Sequence, residues 1–259
     1  MKSSSARIRW EIAIVLALSL GASAVYSIVA IVERVTRETA LASQTATINR
    51  PLADRPAFDL VYQVLDVAFA LAPVALVAFL LWRPVAPHLA RLGLGDRPGD
   101  RPGRRFRECL GGVGLAALIG IPGIAFYLFA RWIGINATVI PAALDAHWWT
   151  VPVLVLQALK AALTEELIVV AYLFDRLRRL RVGPVAIIVG SALLRGGYHL
   201  YQGFGGFIGN VAMGLVFGWV YHRFGRALPL VVAHWILDIV SFVGYALALA
   251  WWPALFGAG

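Results

Sequence analysis

The stretch TEELIVVAY, Thr164 to Tyr172, sets two adjacent carboxylates, Glu165 and Glu166, inside a long apolar run. Its surroundings decide what kind of run this is. Of 259 residues, 60 % are hydrophobic and 14 % charged, and the mean hydropathy is +0.77. A soluble domain keeps about 25 % charged residues. Successive stretches of ~20 apolar residues are each long enough to cross a ~30 Å hydrocarbon core as a helix. The pattern predicts an all-α, polytopic transmembrane helical bundle. About seven spans are expected, with six to eight compatible, at roughly 10–32, 60–82, 109–130, 151–174, 184–201, 207–222 and 228–252.

The net charge of +9 follows these spans rather than forming one patch. Sixteen Lys and Arg residues, from Lys2, Arg7 and Arg9 through Arg83, Arg91, the 97–107 cluster and the 176–181 cluster to Arg223 and Arg226, fall on one side. The other side holds Arg34, Arg37, Arg50, Arg55 and Arg131. By the positive-inside rule the N-terminus is cytoplasmic. The basic balance is thus an orientation signal, not a nucleic-acid footprint, and the lipid bilayer is the first partner. A bacterial cytoplasmic membrane is the expected location. Trp10, Trp82, Trp132, Trp148, Trp149, Trp251 and Trp252 lie near span ends, as an interfacial belt requires. The basic, then apolar, N-terminus with Ala22-Ser23-Ala24 resembles a signal peptide, but its apolar stretch runs to Val32, which favours an uncleaved anchor. The single cysteine, Cys109, excludes an internal disulfide and a Cys-rich zinc site.

Two parts emerge. Residues 1–150 hold three N-terminal spans with long polar connections, among them the repeat GDRPGDRPGR (95–104), expected to be mobile. Residues 151–252 hold four spans with short loops, and here the intramembrane polar residues gather: Lys160, Glu165, Glu166, Arg195, His199, Asn210, His234 and Asp238. Such groups face a bundle interior and mark function by default. Asp66, alone in its span, reads as a helix-packing partner, Lys160 as the partner of an acid or carbonyl, and Asn210 as an interhelix hydrogen-bonder. Gly206, Asn210, Gly214 and Gly218 form a small-residue stripe for close helix approach. Tyr198 and Tyr201 read as packing.

On a helix Glu165 and Glu166 point about 100° apart and cannot address one atom together. Arg195 and His199 share a face with Ser191 and Gln202, and His234 and Asp238 are also four residues apart. Three helices therefore offer acids and imidazoles to a common interior. The chemistry this permits is water activation: a partly desolvated carboxylate is an effective general base, and a histidine can position the water or relay its proton. His234, oriented by Asp238, can hydrogen-bond the oxyanion of an attacked carbonyl. No serine sits beside a base as a nucleophile, and HExxH is absent.

The segments EELIVVAYLFDRL, SALLRGGYHLYQG and AHWILD resemble the three motifs of the CPBP family, the CAAX-protease and bacteriocin-immunity (Abi-like) group of intramembrane proteases: Glu-Glu-x-x-x-Arg, Phe-x-x-x-His and His-x-x-x-Asn/Asp. The resemblance covers roughly residues 150–250. It implies a helical bundle with a membrane-sunk site that hydrolyses a peptide bond in a membrane or membrane-proximal protein. It further implies Glu165 as base, His199 as its partner, His234 and Asp238 as oxyanion or metal groups, and Glu166 as structural. A divalent metal such as zinc stays open: Glu165, His199 and His234 are candidate ligands, but their spacing fixes no tetrahedral set. Two positions depart, Val170 for the motif's arginine and Arg195 for its phenylalanine. Together they suggest relocation, with Arg195 pairing Glu166 from the next helix, because a buried acid without a partner is strongly destabilising.

Counted at 1.5 Å per residue, Glu165 lies ~14 Å, His199 ~22 Å and His234 ~9 Å from the cytoplasmic end of its predicted span, a mismatch in depth. Two other classes compete with the peptidase: a non-catalytic scaffold or immunity factor of the same fold, and a proton-coupled transporter. Against the transporter, no inverted repeat relates the two parts. Substrate identity and oligomeric state are left open.

Overall fold

The computed structural model describes residues 5–82, 90, 92–97, 99–142 and 144–251. Lys2, Arg83, Arg91 and Trp252, used above, lie outside them. Two N-terminal helices, α1 (Ser5–Ala17) and α2 (Leu20–Val35), meet at a bend of 56°. The bend has a local cause. Ser19 Oγ donates back to Val15 O at 2.6 Å, which competes with the helical ladder. A Cβ at Gly21 would sit 2.7 Å from Leu16 O, so the tight turn needs glycine. Next come α3 (Pro56–Ala70) and α4 (Ala72–Leu80), broken at Leu71 by Pro73, and then α5 (Arg104–Trp132). One helical run follows as α6 (Thr150–Thr164), a π-helical segment (Glu165–Tyr172) and α7 (Leu173–Arg179). The chain ends in α8 (Pro184–His199), α9 (Phe204–Phe224) and α10 (Leu228–Trp251).

Among the described residues four runs are long and apolar enough to cross a membrane: Pro56–Leu80, Arg104–Trp132, Phe204–Phe224 and Leu228–Tyr245. The bent α1–α2 pair makes a fifth. The molecule is an integral membrane protein built mostly of helices. The expected spans 151–174 and 184–201 are helical too, yet they differ in kind. The first carries Lys160, Glu165 and Glu166, and its π segment is buried at every residue. The second, α8, has 16 residues, about 24 Å of helix, less than the hydrocarbon thickness. Both also keep exposed apolar faces, with Val151 and Leu156 on α6 and Val185, Val189 and Leu193 on α8.

The structure is not wholly helical. Strands β1 (Thr45–Asn49) and β2 (Thr138–Ala142) pair in parallel, Thr45 opposite Thr138 and Asn49 opposite Ala142. Both lie in connections that the hydropathy pattern marks only as loops. The 95–104 repeat, expected to be mobile, is tied down instead. Asp100 pairs with Arg104 and with Arg226, the latter at 2.8 Å, and Arg104 Nε meets Glu108 Oε1 at 2.9 Å.

The core centres on the π segment. Leu167, Ile168, Val170 and Tyr172 pack with Val15, Val77, Ile187, Phe217 and Leu230, joining α1, α4, α8, α9 and α10. Helices α8 and α9 approach closely: a Cβ at Gly214 would lie 2.8 Å from Ala192 Cα, as the small-residue stripe requires.

Candidate active site

The depth mismatch between Glu165 and His199 disappears once the real helix ends are known. The run containing Glu165 continues to Arg179, so Glu165 lies roughly 20 Å from its end, level with His199 at ~22 Å from Pro184. His234 is close to the start of α10, but that start is itself internal. Ala227 and Leu230 are fully buried, and the Ala227 and Leu228 N–H groups both donate to Gly93 O at 3.1 Å.

The π segment begins at the first of the two glutamates. Its i→i+5 turn widens the helix, a feature found most often at functional sites. Ser191 Oγ, from α8, donates to Val169 O at 2.8 Å inside the widened turn. In this frame the two acids converge on one cation. Arg195 Nη2 donates to Glu166 Oε1 at 2.5 Å, and Arg195 Nη1 lies 3.6 Å from Glu165 Oε2. The ion pair anticipated from the two motif departures is therefore present, with Glu165 drawn in as well. The Arg195 guanidinium also sits over the Phe217 ring at 5.4 Å.

The acids are not equivalent. Glu166 is fully buried and also accepts from His234 Nδ1 at 2.7 Å. Glu165 keeps a solvent-accessible edge, 10 % of its side chain, and accepts from the Tyr198 hydroxyl at 2.8 Å. His199 Nδ1 donates to Arg195 O at 3.0 Å, which fixes its tautomer and leaves Nε2 as the acceptor. Glu165 lies within electrostatic range of His234, Arg195 and His199. His234 Nε2 is 3.5 Å from Asp238 Oδ2, so the group that holds this ring most closely is Glu166, not Asp238. The i,i+4 geometry puts Asp238 on the right face but only at loose range.

The structure thus gathers Glu165, Glu166, Arg195, His199, His234 and Asp238 into one cluster. Asn210 stands apart, its amide donating to Gly206 O of its own helix at 2.9 Å rather than across helices. Tyr198 joins the cluster although an aromatic within an apolar helix reads as packing. The available signal was its position directly before His199.

The donor set does not fit a metal as arranged. Among the described residues no three His, Cys, Asp or Glu side chains converge as ligands. A guanidinium lies between the two acids, and His234 Nδ1 is committed to Glu166.

Residues 147–240 match the family model described as Type II CAAX prenyl endopeptidase Rce1-like. That family comprises CAAX-protease-type endopeptidases, and the match is consistent with the resemblance carried by the three motifs. All six clustered residues and Tyr198 fall within it. No curated protein matches the chain, and no solved structure does.

Proposed function

We propose that the protein is an intramembrane endopeptidase that cleaves a membrane-proximal peptide with water activated by Glu165. In this reading the N-terminus and the arginine-rich loops are cytoplasmic, and residues 151–252 form the catalytic core of a seven-span bundle. The observation that carries the reading is the asymmetry of the two acids. Glu165 keeps an accessible edge and is oriented by Tyr198, whereas Glu166 is sealed beneath Arg195 and His234. Glu165 removes a proton from water as the oxygen bonds to the peptide carbonyl carbon. The oxyanion is met by the Nε2–H of His234, whose Nδ1–H is held by Glu166. His199 Nε2 accepts a hydrogen bond from the same water. Collapse breaks the C–N bond, and Glu165 returns its proton to the leaving amine.

One observation favours a second reading, a non-catalytic scaffold: Glu165 is already engaged by Tyr198 and lies near Arg195. The test is cleavage of membrane-tethered peptides by the full chain in proteoliposomes. Glu165→Gln keeps the Tyr198 contact and so the fold, and should lose about 10²- to 10⁴-fold in rate. Unchanged cleavage by Glu165→Gln refutes the peptidase mechanism. If the wild type cuts nothing and Glu165→Gln preserves the cellular phenotype, the scaffold reading holds.

A further inference from the structure

Outside the candidate site, the strongest concentration of unspent polar capacity lies at the arginine-rich end. A cleft of about 430 Å³ opens there, lined by Arg97, Asp175, Arg178, Arg179, Tyr221 and Gly225. It lies between the last turns of α7 and α9 and the 92–97 stretch. All three arginines are exposed; Arg97 Nε donates to Ala90 O at 3.4 Å and Arg179 Nη2 to Asp175 Oδ1 at 3.5 Å. Arg97 Nη2 donates to Gly225 O at 2.6 Å, Arg178 Nη2 faces His222 Nδ1 at 3.2 Å, and Arg179 Nε meets Asp175 Oδ2 at 2.9 Å. In none of the three does Nη1 bond a described residue. Asp175 is shared with Arg176 at 2.6 Å, so it does not neutralise the set. Gly225, with φ of +63°, closes α9 in a left-handed conformation that favours glycine. Phe174 and Tyr221, edge to face at 5.3 Å, make a rigid floor, and Arg178 lies over Phe174 at 5.7 Å.

Planar guanidinium groups with a free Nη1 donor match phosphate oxygens. We infer that this cleft binds a phosphate group. Its depth argues for the headgroup of an anionic phospholipid, because α9, one of the membrane-length helices, ends at Phe224 beside the cleft. Basic pockets at this level of a membrane protein hold such headgroups. A soluble phosphate presents the same chemistry, and the experiment separates the two sources.

The full chain in neutral detergent is mixed with phosphatidylglycerol, phosphatidylcholine or inorganic phosphate, and retained lipid and thermal midpoint are measured. The wild type should retain phosphatidylglycerol over phosphatidylcholine and gain stability with it. Each Arg→Gln change at positions 97 and 178 should weaken that retention about fivefold, the equivalent of the ~1 kcal/mol per basic residue near an anionic surface. Arg97→Lys and Arg178→Lys keep the charge, guard against loss of folding, and should retain part of the preference. Arg9→Gln, an equal loss of charge outside the cleft, should leave it intact. If inorganic phosphate raises the midpoint and phosphatidylglycerol does not, the cleft takes a soluble phosphate. The inference is overturned if no phosphate-bearing probe is preferred, or if Arg9→Gln weakens retention as much as the cleft variants do.

Discussion

Two polar networks cross the interior of this bundle, and they are built differently. The first links α3 to α6. Asp59, Gln63 and Asp66 follow one face of α3, and Gln157 and Lys160 answer from α6. Lys160 Nζ meets Asp66 Oδ2 at 2.8 Å, Gln157 Nε2 donates to Gln63 Oε1 at 3.0 Å, and the ladder ends where Leu52 N–H donates to Asp59 at 2.8 Å. Each of these polar side chains is used, as lipid-embedded helices require. The second network, around Glu165 and Arg195, is not saturated. Of four buried side-chain polar atoms without a hydrogen-bond partner among the described residues, two belong to it, Glu166 Oε2 and Arg195 Nη1, and a third, Thr164 Oγ1, directly precedes Glu165 in the chain. A saturated network joins helices. An unsaturated one leaves buried polar atoms that the surrounding helices do not satisfy, with Glu165 at its accessible edge.

The largest effect that bears on this contrast comes from Arg195. Its removal leaves Glu166 buried without a cation, and breaking a buried pair costs about 3–5 kcal/mol. Arg195→Ala should therefore lower the thermal midpoint in detergent far more than any change in the α3–α6 ladder. Arg195→Met with Glu166→Met removes both charges at similar volume and should recover most of the loss. If Arg195→Ala unfolds no more readily than the wild type, the two networks are not different in kind.

Arg195 also shows how much was legible beforehand. Charges stranded in apolar runs must pair, so two departures from a motif were enough to match Arg195 with Glu166 across 29 residues. The same logic gives Lys160 an acid or carbonyl and Asp66 a helix partner without naming either, and the two meet across 94 residues. The helical runs were legible from hydropathy, because lipid leaves the backbone few alternatives. Other features left no mark of that kind. A π segment differs from an α-helix by one widened turn, and nothing in EELIVVAY signals it. The parallel β1–β2 pair joins residues about ninety apart by backbone hydrogen bonds and one from the Asn49 amide to Pro141 O at 2.8 Å. Tyr172 and Arg176 hold Glu11 of α1, at 3.1 and 2.5 Å, a contact that isolated charges near the ends of two apolar runs could have suggested. Depth differs for a plainer reason: hydropathy boundaries stop the helix of Glu165 at residue 174, whereas it runs on to Arg179.

Tyr198 gives a smaller, sharper test. Its hydroxyl is a neutral donor to a carboxylate, and such bonds contribute about 1.5–3 kcal/mol. Tyr198→Phe keeps the ring packed against Ala24 and Val169 and removes only the donor. If Tyr198 orients Glu165, the loss should fall on kcat, by about tenfold to a hundredfold at those energies, with KM and the thermal midpoint little changed. A fall in stability with unchanged kcat would make Tyr198 one more saturated contact, like those on α3.

The smallest effect should come from the ladder itself. Hydrogen bonds between membrane helices average about 0.6 kcal/mol in double-mutant cycles and reach about 1.7 at most, because the separated helices also find partners in lipid. Asp66 is 44 % and Lys160 21 % exposed at the side chain, so their pair belongs near the lower figure. Asp66→Asn, Lys160→Met and the double variant should each shift the unfolding midpoint slightly, with a coupling of about 0.6 kcal/mol. Cleavage by all three should match the wild type, since nothing in the ladder reaches Glu165. A coupling as large as that of Arg195 with Glu166, or a loss of cleavage at constant stability, would place the ladder inside the working part of the protein and erase the distinction between joint and site.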